Sequence, residues 1–323
     1  MEFGIELPQN KAFDVVGLGL NAVDHLALTP EYPPPGSKIL LNDYRLSVGG
    51  QVATAMVALS RLGYHTSYIG KVGAEPLGDL QIASLQTEDV EHSRVIRVKG
   101  ATTQLGFIVI DQSTGERTIY WHRDPRLIVQ PEELDHAHIT SGRLLHLDGC
   151  DTSAAIQAAR WAKDAGVPVV IDLDTPYPGV EELLPLVDFL IASSEFPASI
   201  TGKSDPHSAL RKLKEQFGNR FIAMTRGCEG ALAYHNDQFI HSPAFTNFQI
   251  SDTTGAGDAF HGGFDYGLLN GYTVEETLTI ANLIAALNCR AIGARAGLPT
   301  INMLDEVVTE LGLRFGRSDQ GEL

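Results

Sequence analysis

Short apolar runs separated by turn residues recur along the chain, and their spacing predicts alternating strands and helices. Residues 12–20 (AFDVVGLGL) form a continuous apolar run that ends in glycines, which is typical of a buried strand entering a loop. Residues 51–62 (QVATAMVALSRL) have helical spacing, with Gly49 and Gly50 before them and Gly63 as a stop signal. The chain therefore begins with a strand, a loop and a helix, as α/β proteins do.

The same alternation continues along the rest of the chain. The further predicted strands are 66–72, 144–147, 167–173, 186–192 and 221–225, and the further predicted helices are 153–165, 208–217, 257–269 and 275–290. Because the strands are continuous apolar runs, we expect a mostly parallel sheet that is buried between helices on both faces. The predicted fold class is α/β with a doubly wound sheet.

Two early segments depart from this alternation and predict a small second sheet. A proline run at residues 30–35 excludes a helix there, and residues 38–48 partly alternate as a half-exposed strand does. Residues 103–111 and 116–121 flank a hairpin signal at 113–115 and look polar on one face. A small β-sheet at the edge of an α/β core is in a position to close over a ligand, so we interpret it as a lid.

These patterns together predict one principal domain. We expect it to cover residues 12–314, with lid strands inserted at about 24–48 and 100–125. Residues 315–323 are polar, and we expect them to form a flexible tail.

Charge and composition limit the partners. The 323 residues include 43% apolar residues and carry a formal net charge of -16, so a packed protein that repels nucleic acid and anionic membranes is expected. No apolar run approaches the roughly 18 residues of a membrane span, and the N-terminus lacks a signal-peptide pattern. The three cysteines, Cys150, Cys228 and Cys289, are far apart, so we predict free thiols and a cytoplasmic location.

The segment 250–260 (ISDTTGAGDAF) carries the most specific chemistry in the sequence. We expect a strand ending near Ile250, a loop of small residues, and a helix whose first turn holds Asp258. Successive N–H groups at a helix start bind anions, and the helix dipole helps them. A carboxylate beside such an anion hole can accept a proton from an attacking hydroxyl. A lone aspartate at a helix start more often caps the helix, so the rest of the chain has to decide.

Two segments together resemble the PfkB/ribokinase family of carbohydrate kinases. DTTGAGDAF at 252–260 is similar to the C-terminal signature of that family. GGQVATAM at 49–56, followed by Leu62 and Gly63, is similar to its N-terminal signature. The resemblance covers nearly all of residues 13–300 and implies a ribokinase-like fold and ATP-dependent phosphorylation of a small molecule.

The resemblance implies roles around the transferred phosphate and the nucleotide. Asp258 matches the catalytic base, and Gly255, Ala256 and Gly257 match the anion hole. The implied ATP-binding residues are Thr225, Gly227 and Gly230, in a Thr-x-Gly-x-x-Gly-like loop, and Asn282 beside the adenine. The implied cofactors are ATP and Mg²⁺.

The substrate side matches the family less completely. The implied substrate contacts are Asp24 at the end of the first strand, Gly49, Gly50, Thr54 and Asp148. Thr54 stands where ribokinase-like members usually have asparagine, which disfavours ribose as the substrate. Arg123 in the lid offers a cation for an anionic substrate group. Thr54, His261 and the stretch 293–299 also resemble sulfofructose kinases in part.

The metal motifs are altered. The Asn-x-x-Glu magnesium motif should fall at 193–196, where this chain reads SSEF, so Glu195 is one place early. Because Mg²⁺ keeps several waters, Glu195 is interpreted as a ligand that acts through water. Asp252 and Thr254 match a monovalent-cation site, which would hold K⁺.

The expected reaction is transfer of the ATP γ-phosphate to a primary hydroxyl of a sugar or sugar-like molecule. A nucleoside kinase remains an alternative, because Phe107, Tyr120 and Trp121 in the lid could hold a base. A non-catalytic sugar or nucleotide sensor on the same fold is a second alternative. A dinucleotide site at 17–22 is disfavoured because prolines, and not a helix, follow it. We expect a homodimer formed through the lid.

Overall fold

The computed structural model describes residues 1–113 and 117–316. In chain order its strands are β1 (Phe13–Leu18), β2 (Ala22–Thr29), β3 (Asp43–Gly49), β4 (Thr66–Gly73), β5 (Val95–Val98), β6 (Leu105–Asp111), β7 (Arg117–His122), β8 (Gly142–Leu147), β9 (Val169–Leu173), β10 (Phe189–Ala192), β11 (Phe221–Thr225), β12 (Ala231–His235) and β13 (Gln238–Ser242). Its α-helices are α1 (Gln51–Arg61), α2 (Pro76–Thr87), α3 (His136–Ile139), α4 (Thr152–Asp164), α5 (Val180–Leu183), α6 (Phe196–Thr201), α7 (Pro206–Phe217), α8 (Ala256–Leu269), α9 (Val274–Asn288) and α10 (Ile301–Glu310).

The strands form two sheets. The larger sheet has nine strands in the order β13-β12-β11-β10-β9-β8-β1-β4-β5, and the smaller has four in the order β3-β2-β6-β7. In the larger sheet β5, β4, β1 and β8 to β11 pair in parallel, whereas β12 and β13 are antiparallel. The central strands are buried, as their continuous apolar sequences require. The predicted α/β fold class with a small accessory sheet is confirmed.

The antiparallel end of the larger sheet was not predicted. β12 and β13 are joined at Asn236 and Asp237, which have φ of 47° and 60°. Two central residues with positive φ form the type of turn that suits a tight hairpin, and Asn and Asp tolerate this conformation best after glycine. The Asn-Asp pair was therefore the available signal for this hairpin.

The prediction of a strand ending near Ile250 was wrong. Residues 243–255 form irregular backbone between β13 and α8. Ile250 is 47% exposed, so it does not have the burial that drives a strand into the sheet. The loop that reaches α8 is therefore long and leaves the sheet before its small residues begin.

The small sheet is mixed and places Asp24 inside a strand. β2 pairs in parallel with β6, where Asp24 lies opposite Gly106, and antiparallel with β3. Asp24 therefore lies within β2. The prediction that it ends the first strand was wrong. The residues before it, Gly19 to Asn21, connect the larger sheet to the smaller one.

Aromatic packing fixes helix α8 against the larger sheet. The ring of Phe264 on α8 lies 5.2 Å from that of Phe221 on β11 and 5.9 Å from that of Phe189 on β10. Phe3 contacts all three rings in edge-on geometry, so the N-terminal segment also belongs to this core. Because protein interiors are close-packed, these contacts through the middle of α8 fix the position of the helix over the sheet.

The first two residues of the predicted flexible tail pack against the domain. Phe315 stacks on Tyr272 at 5.2 Å, and the amide of Gly316 donates a 2.7 Å hydrogen bond to Glu276. The rest of the predicted tail, 317–323, and most of the predicted 113–115 turn lie outside the described residues. None of the helices within the described ranges has both the length and the apolar character required to cross a bilayer.

Candidate active site

One cavity of about 590 Å³ lies between the two sheets. The larger sheet contributes residues at or just after the carboxyl ends of its parallel strands, namely Leu20, Asp172, Asp174, Ser193 and Thr225. The small sheet contributes Asp24, Gly106, Arg117, Ile119 and Trp121, and the segment 253–258 completes the wall. The carboxyl edge of an α/β sheet is where ligands bind in such folds, so this cavity is the candidate active site.

The loop before α8 has the geometry of an anion hole. Gly255 has φ of 74°, and a Cβ there would lie 2.4 Å from the carbonyl oxygen of Ala294. Only glycine meets both conditions without strain. Ala256 begins α8, and a Cβ on Gly257 would contact nothing within 4 Å. The N-terminus of this 14-residue helix therefore lies at the cavity wall, and the amide of Ala256 donates a 3.2 Å hydrogen bond to the carbonyl of Thr253.

Asp252 braces this loop against the segment after α9. Its Oδ1 accepts from the amide of Thr254 at 2.9 Å and from the Thr254 hydroxyl at 2.8 Å. Its Oδ2 accepts from the amide of Gly293 at 2.9 Å. Both carboxylate oxygens thus have protein donors, and the pair predicted to bind a monovalent cation organises the loop.

Asp258 lies in the first turn of α8, at the wall of the cavity. The low-dielectric surroundings raise its pKa to about 8, and repulsion from Asp172 and Asp174 acts in the same direction. The positive charge of Arg295 opposes this rise. A carboxylate with raised proton affinity beside an anion hole suits a group that accepts a proton during reaction.

Asp24 faces the same cavity from the small sheet. A Cβ at Gly49 would lie 2.7 Å from its Oδ2, and a Cβ at Gly106 would lie 2.4 Å from its Oδ1. The two glycines therefore make room for the carboxylate on β2. Burial raises the pKa of Asp24 to about 6, while Arg295 lowers it and Asp252 raises it further.

Four of the predicted substrate contacts do not line the cavity: Gly49, Thr54, Arg123 and Asp148. Asp148 accepts hydrogen bonds from the amides of Leu20 at 2.5 Å and Cys150 at 3.0 Å, so it joins the ends of β1 and β8. Burial raises its pKa to about 7. The structure thus gives Asp148 a bracing contact in place of the predicted substrate contact.

Arg123 also lies away from the predicted position. Nη2 of its guanidinium donates to both carboxylate oxygens of Asp151, at 2.7 and 3.0 Å, and Nη1 donates to the sulfur of Cys150. Both terminal nitrogens thus have protein acceptors, and the side chain is only 12% exposed. Arg117 is the lid arginine that reaches the cavity, where it donates a hydrogen bond to Thr253.

The predicted nucleotide residues lie on neighbouring elements. Thr225 ends β11 and lines the cavity. Gly230 has φ of 85°, and a Cβ there would lie 2.1 Å from the carbonyl oxygen of Ser242, so the loop requires glycine. Gly227 has φ of 55°. Asn282 donates to the carbonyl and hydroxyl of Ser242 at 3.1 and 3.0 Å, which joins α9 to β13.

The predicted magnesium motif does not fit at its usual last position. Phe196 stands there, begins α6 and is completely buried in the core. Glu195 is exposed and does not line the cavity, whereas Ser193 does. Within residues 1–113 and 117–316, no three acidic, His or Cys side chains are grouped so as to hold a metal ion.

Arg295 does not line the cavity, but its charge acts on both Asp258 and Asp24, and the sequence analysis assigned it no role of its own. Its buried guanidinium donates to the carbonyl of Gly49 at 2.7 Å, to the hydroxyl of Thr54 at 3.1 Å and to Ser84 at 3.3 Å. Burial lowers its pKa to about 10. Thr54 therefore contacts Arg295, far along the chain, and no spacing in the sequence joins the two.

Comparison with known proteins identifies the family. Residues 13–301 match the model of the pfkB family of carbohydrate kinases. The chain belongs to this family. It is 27% identical to ribokinase of Haemophilus influenzae, with 90% of this chain and 96% of the relative covered. It is 24% identical to 5-dehydro-2-deoxygluconokinase of Clostridium perfringens, with 97% of each covered.

Solved structures show the same fold. Ribokinase of Giardia lamblia superposes with a TM-score of 0.82 at 18% identity, with 93% of this chain and 99% of that chain covered. Arabidopsis thaliana ribokinase, solved with ribose and ATP, superposes with a TM-score of 0.77 at 23% identity, with 92% and 99% covered. The predicted carbohydrate kinase with a ribokinase-like fold is confirmed, whereas the substrate and the individual site residues remain predictions.

Proposed function

We propose that this kinase transfers the γ-phosphate of ATP to a primary hydroxyl of a sugar or sugar-like molecule, with Asp258 as general base. The observation that carries the proposal is the joint position of Asp258, the loop 253–257 and Asp24 around one cavity. An anion hole, a proton acceptor and a carboxylate for hydroxyl groups are the parts that such a transfer needs.

Each part has a distinct task in the proposed reaction. Asp258 removes the proton from the attacking hydroxyl. The N–H groups of Gly255, Ala256 and Gly257 stabilise the negative charge on the transferred phosphoryl group. Asp24 accepts hydrogen bonds from substrate hydroxyls, and Gly50 approaches the substrate through its backbone. The small sheet covers the cavity and excludes water, which would compete as a nucleophile.

The nucleotide is assigned to the side of the cavity at β11. Thr225 lines the cavity there, and Gly227, Gly230 and Asn282 shape the adjoining loop. Mg²⁺ would shield the phosphate charges of ATP, and Glu195 remains the proposed ligand through water.

An ATP-consumption assay over a substrate panel tests the proposal. The panel contains ketohexoses, pentoses, nucleosides, and acidic or sulfonated sugars. Phosphorylation of a sugar by wild type but not by Asp258→Asn would support it. A nucleoside as the best substrate would favour the alternative, although Trp121 lines the cavity while Phe107 and Tyr120 do not. Tight sugar binding without turnover on any member would favour the sensor.

Two accessory predictions belong to the same proposal. A K⁺ requirement through Asp252 and Thr254 is tested by replacing K⁺ with a larger organic cation in the assay. A homodimer through the lid is supported by exposed apolar side chains of the small sheet that do not line the cavity, namely Leu46, Phe107 and Tyr120. Sedimentation of wild type and Tyr120→Lys would measure it. The cytoplasmic location stays a prediction.

A further inference from the structure

A carboxylate–imidazole pair lies directly beside the proposed base. Nε2 of His261 is 3.0 Å from Oδ1 of Asp172, and the two side chains are 2% and 7% exposed. Both residues line the cavity with Asp258. His261 follows Asp258 by one helical turn on α8, and Asp172 lies near the end of β9. The pair therefore joins the helix that carries the base to the sheet beneath it.

A second pair lies behind the first, deeper in the core. Nδ1 of His146 on β8 is 2.6 Å from Oδ2 of Asp265 on α8, and neither side chain is exposed. The rings of His146 and His261 are 6.1 Å apart and nearly perpendicular. Asp258, His261 and Asp265 are spaced at i, i+3 and i+7, so they share one face of α8. Two histidines and two aspartates thus extend from the cavity wall into the core.

This cluster is unusual for a position that serves packing alone. Four of its atoms, Oδ2 of Asp172, Nδ1 of His261, Nε2 of His146 and Oδ1 of Asp265, are buried without a hydrogen-bond partner among the described residues. Buried polar groups are normally paired, and apolar side chains of similar size stabilise a core at least as well. The arrangement therefore points to a role at the end of the cluster that reaches the cavity.

The charges that face Asp258 show what that role is. Asp172 and Asp174 face it from the end of β9 and Asp24 from β2, whereas Arg295 opposes them from the segment after α9. Three carboxylates against one guanidinium leave an excess of negative charge on this wall. Around His261 stand Asp172 from β9, Asp174 just after it, His146 from β8 and Asp265 from its own helix. The imidazole of His261, which lies against Asp172, would offset one of these carboxylates.

We propose that His261 and Asp172 are positioning residues that hold Asp258 against the sheet and balance the negative charge on its side of the cavity, with His146 and Asp265 as their support. The proposal rests on the assignment of Asp258 as the base. His261 acts here through Asp172 and does not itself touch the reacting atoms. Asp172 therefore contributes a negative charge that His261 cancels, and the two residues have opposite effects on the base.

Because Asp172 and His261 should shift the pH dependence of the base in opposite directions, the proposal can be distinguished from a role in packing alone. The measurement is the pH dependence of kcat/KM for Asp172→Asn, which removes the carboxylate charge at nearly constant size, and for His261→Gln, which removes the imidazole. Asp172→Asn should move the acid limb, the low-pH side of the kcat/KM profile, about half to one pH unit lower, because the repulsion between Asp172 and the base Asp258 is lost. His261→Gln should move it by a similar amount to higher pH, because Asp172 is left uncompensated.

Tyr266→Phe provides the matched control. Tyr266 is on the same helix and buried, but it packs against Tyr64 and Tyr272, away from the cavity. Its acid limb should coincide with that of wild type. Limbs that move in the same direction in both charge variants, or that do not move, would overturn the proposal even if the kinase is fully active.

A measurement on the resting protein separates this proposal from the proposed function. ¹⁵N spectra of the histidine rings, assigned by the signal lost in His261→Gln, should show a proton on Nε2 of His261, the nitrogen that faces Asp172. A His261 ring without a proton on Nε2 in wild type would refute the charge balance without any activity assay. Conversely, a His261 ring with its proton on Nε2 in a protein that phosphorylates no substrate would leave the pair intact and refute the function.

Discussion

The proposed phosphate side and the proposed substrate side of the cavity are built in different ways. On the phosphate side the wall is one continuous segment, 253–258, and every residue of it lines the cavity. On the substrate side Asp24 comes from β2, Gly106 from β6 and Trp121 from β7, while Gly50 precedes α1. Thr54 and Asp148, expected on this side, do not line the cavity.

The difference shows what a sequence motif can encode. Anion binding by a loop depends on backbone N–H groups, and a glycine-rich run before a helix specifies those directly. Substrate contacts depend on where side chains from several strands point, and strand register decides that. Substitutions made on one side at a time can therefore measure how much each side contributes to turnover, to substrate binding and to stability.

The largest effect is expected from Asp258→Asn on the phosphate side. Loss of the proton acceptor should lower kcat by roughly 10²–10⁴-fold, the usual weight of general base catalysis, while the KM for the sugar changes little. Initial rates over a range of sugar concentrations measure both constants. The exposed Asp164→Asn on α4 is the control and should behave as wild type. A variant with full turnover would exclude Asp258 as the base.

A smaller effect is expected from Asp24→Asn on the substrate side. Loss of a charged hydrogen-bond acceptor should lower kcat/KM by about 10- to 100-fold, mainly through a higher KM for the sugar. The KM for ATP should remain close to its original value, because Asp24 lies on the small sheet. An equal rise of both KM values would mean that the two sides are not separate.

The backbone of the anion hole can be tested by stability alone. Gly255→Ala should lower the free energy of unfolding by about 1–3 kcal/mol, because φ is 74° and the new Cβ would meet the Ala294 carbonyl. Gly257→Ala, two residues on, has open space and is the matched control for stability. Chemical denaturation measures both. Equal stability of the two variants would contradict the loop geometry.

The weakest effect concerns pH and stability. Because the fold raises the pKa of Asp258 from its usual value to about 8, its protonated form is favoured. The stability that it contributes is therefore complete at acidic pH and is lost as pH rises toward 8. Asp258→Asn should melt a few degrees higher than wild type at pH 8.5, with a smaller difference at pH 5. Thermal scans at both values measure this, and the opposite trend would contradict the raised pKa.

Much of the fold could be predicted because apolar patterning and turn residues determine it locally. The central strands and helices α1, α4, α7, α8 and α9 were found within a few residues of their observed bounds. Helix α2 was not predicted, although it begins at Pro76 and is capped by Glu75. Only three of its twelve residues are fully buried, so its amphipathic pattern in the sequence is weak.

The site could be predicted only where neighbours in sequence are also neighbours in space. The loop 253–258 satisfies this condition. Arg295 and Thr54 contact each other across the chain, and the Asp172–His261 pair joins a strand end to a distant helix. Asp148 is the opposite example. It follows β8 at the strand end where a substrate contact was predicted, but its carboxylate oxygens accept hydrogen bonds from backbone amides.

The enclosure of Asp24 limits how this enzyme can evolve. Its carboxylate has Gly49 on one side and Gly106 on the other, so any side chain gained at either glycine would collide with it. Three separate codons therefore maintain the proposed substrate contact, and we expect most single mutations there to lower activity without changing which sugar is accepted. New sugar preferences should arise through Gln104, Ile119 or Trp121, which line the cavity without this constraint.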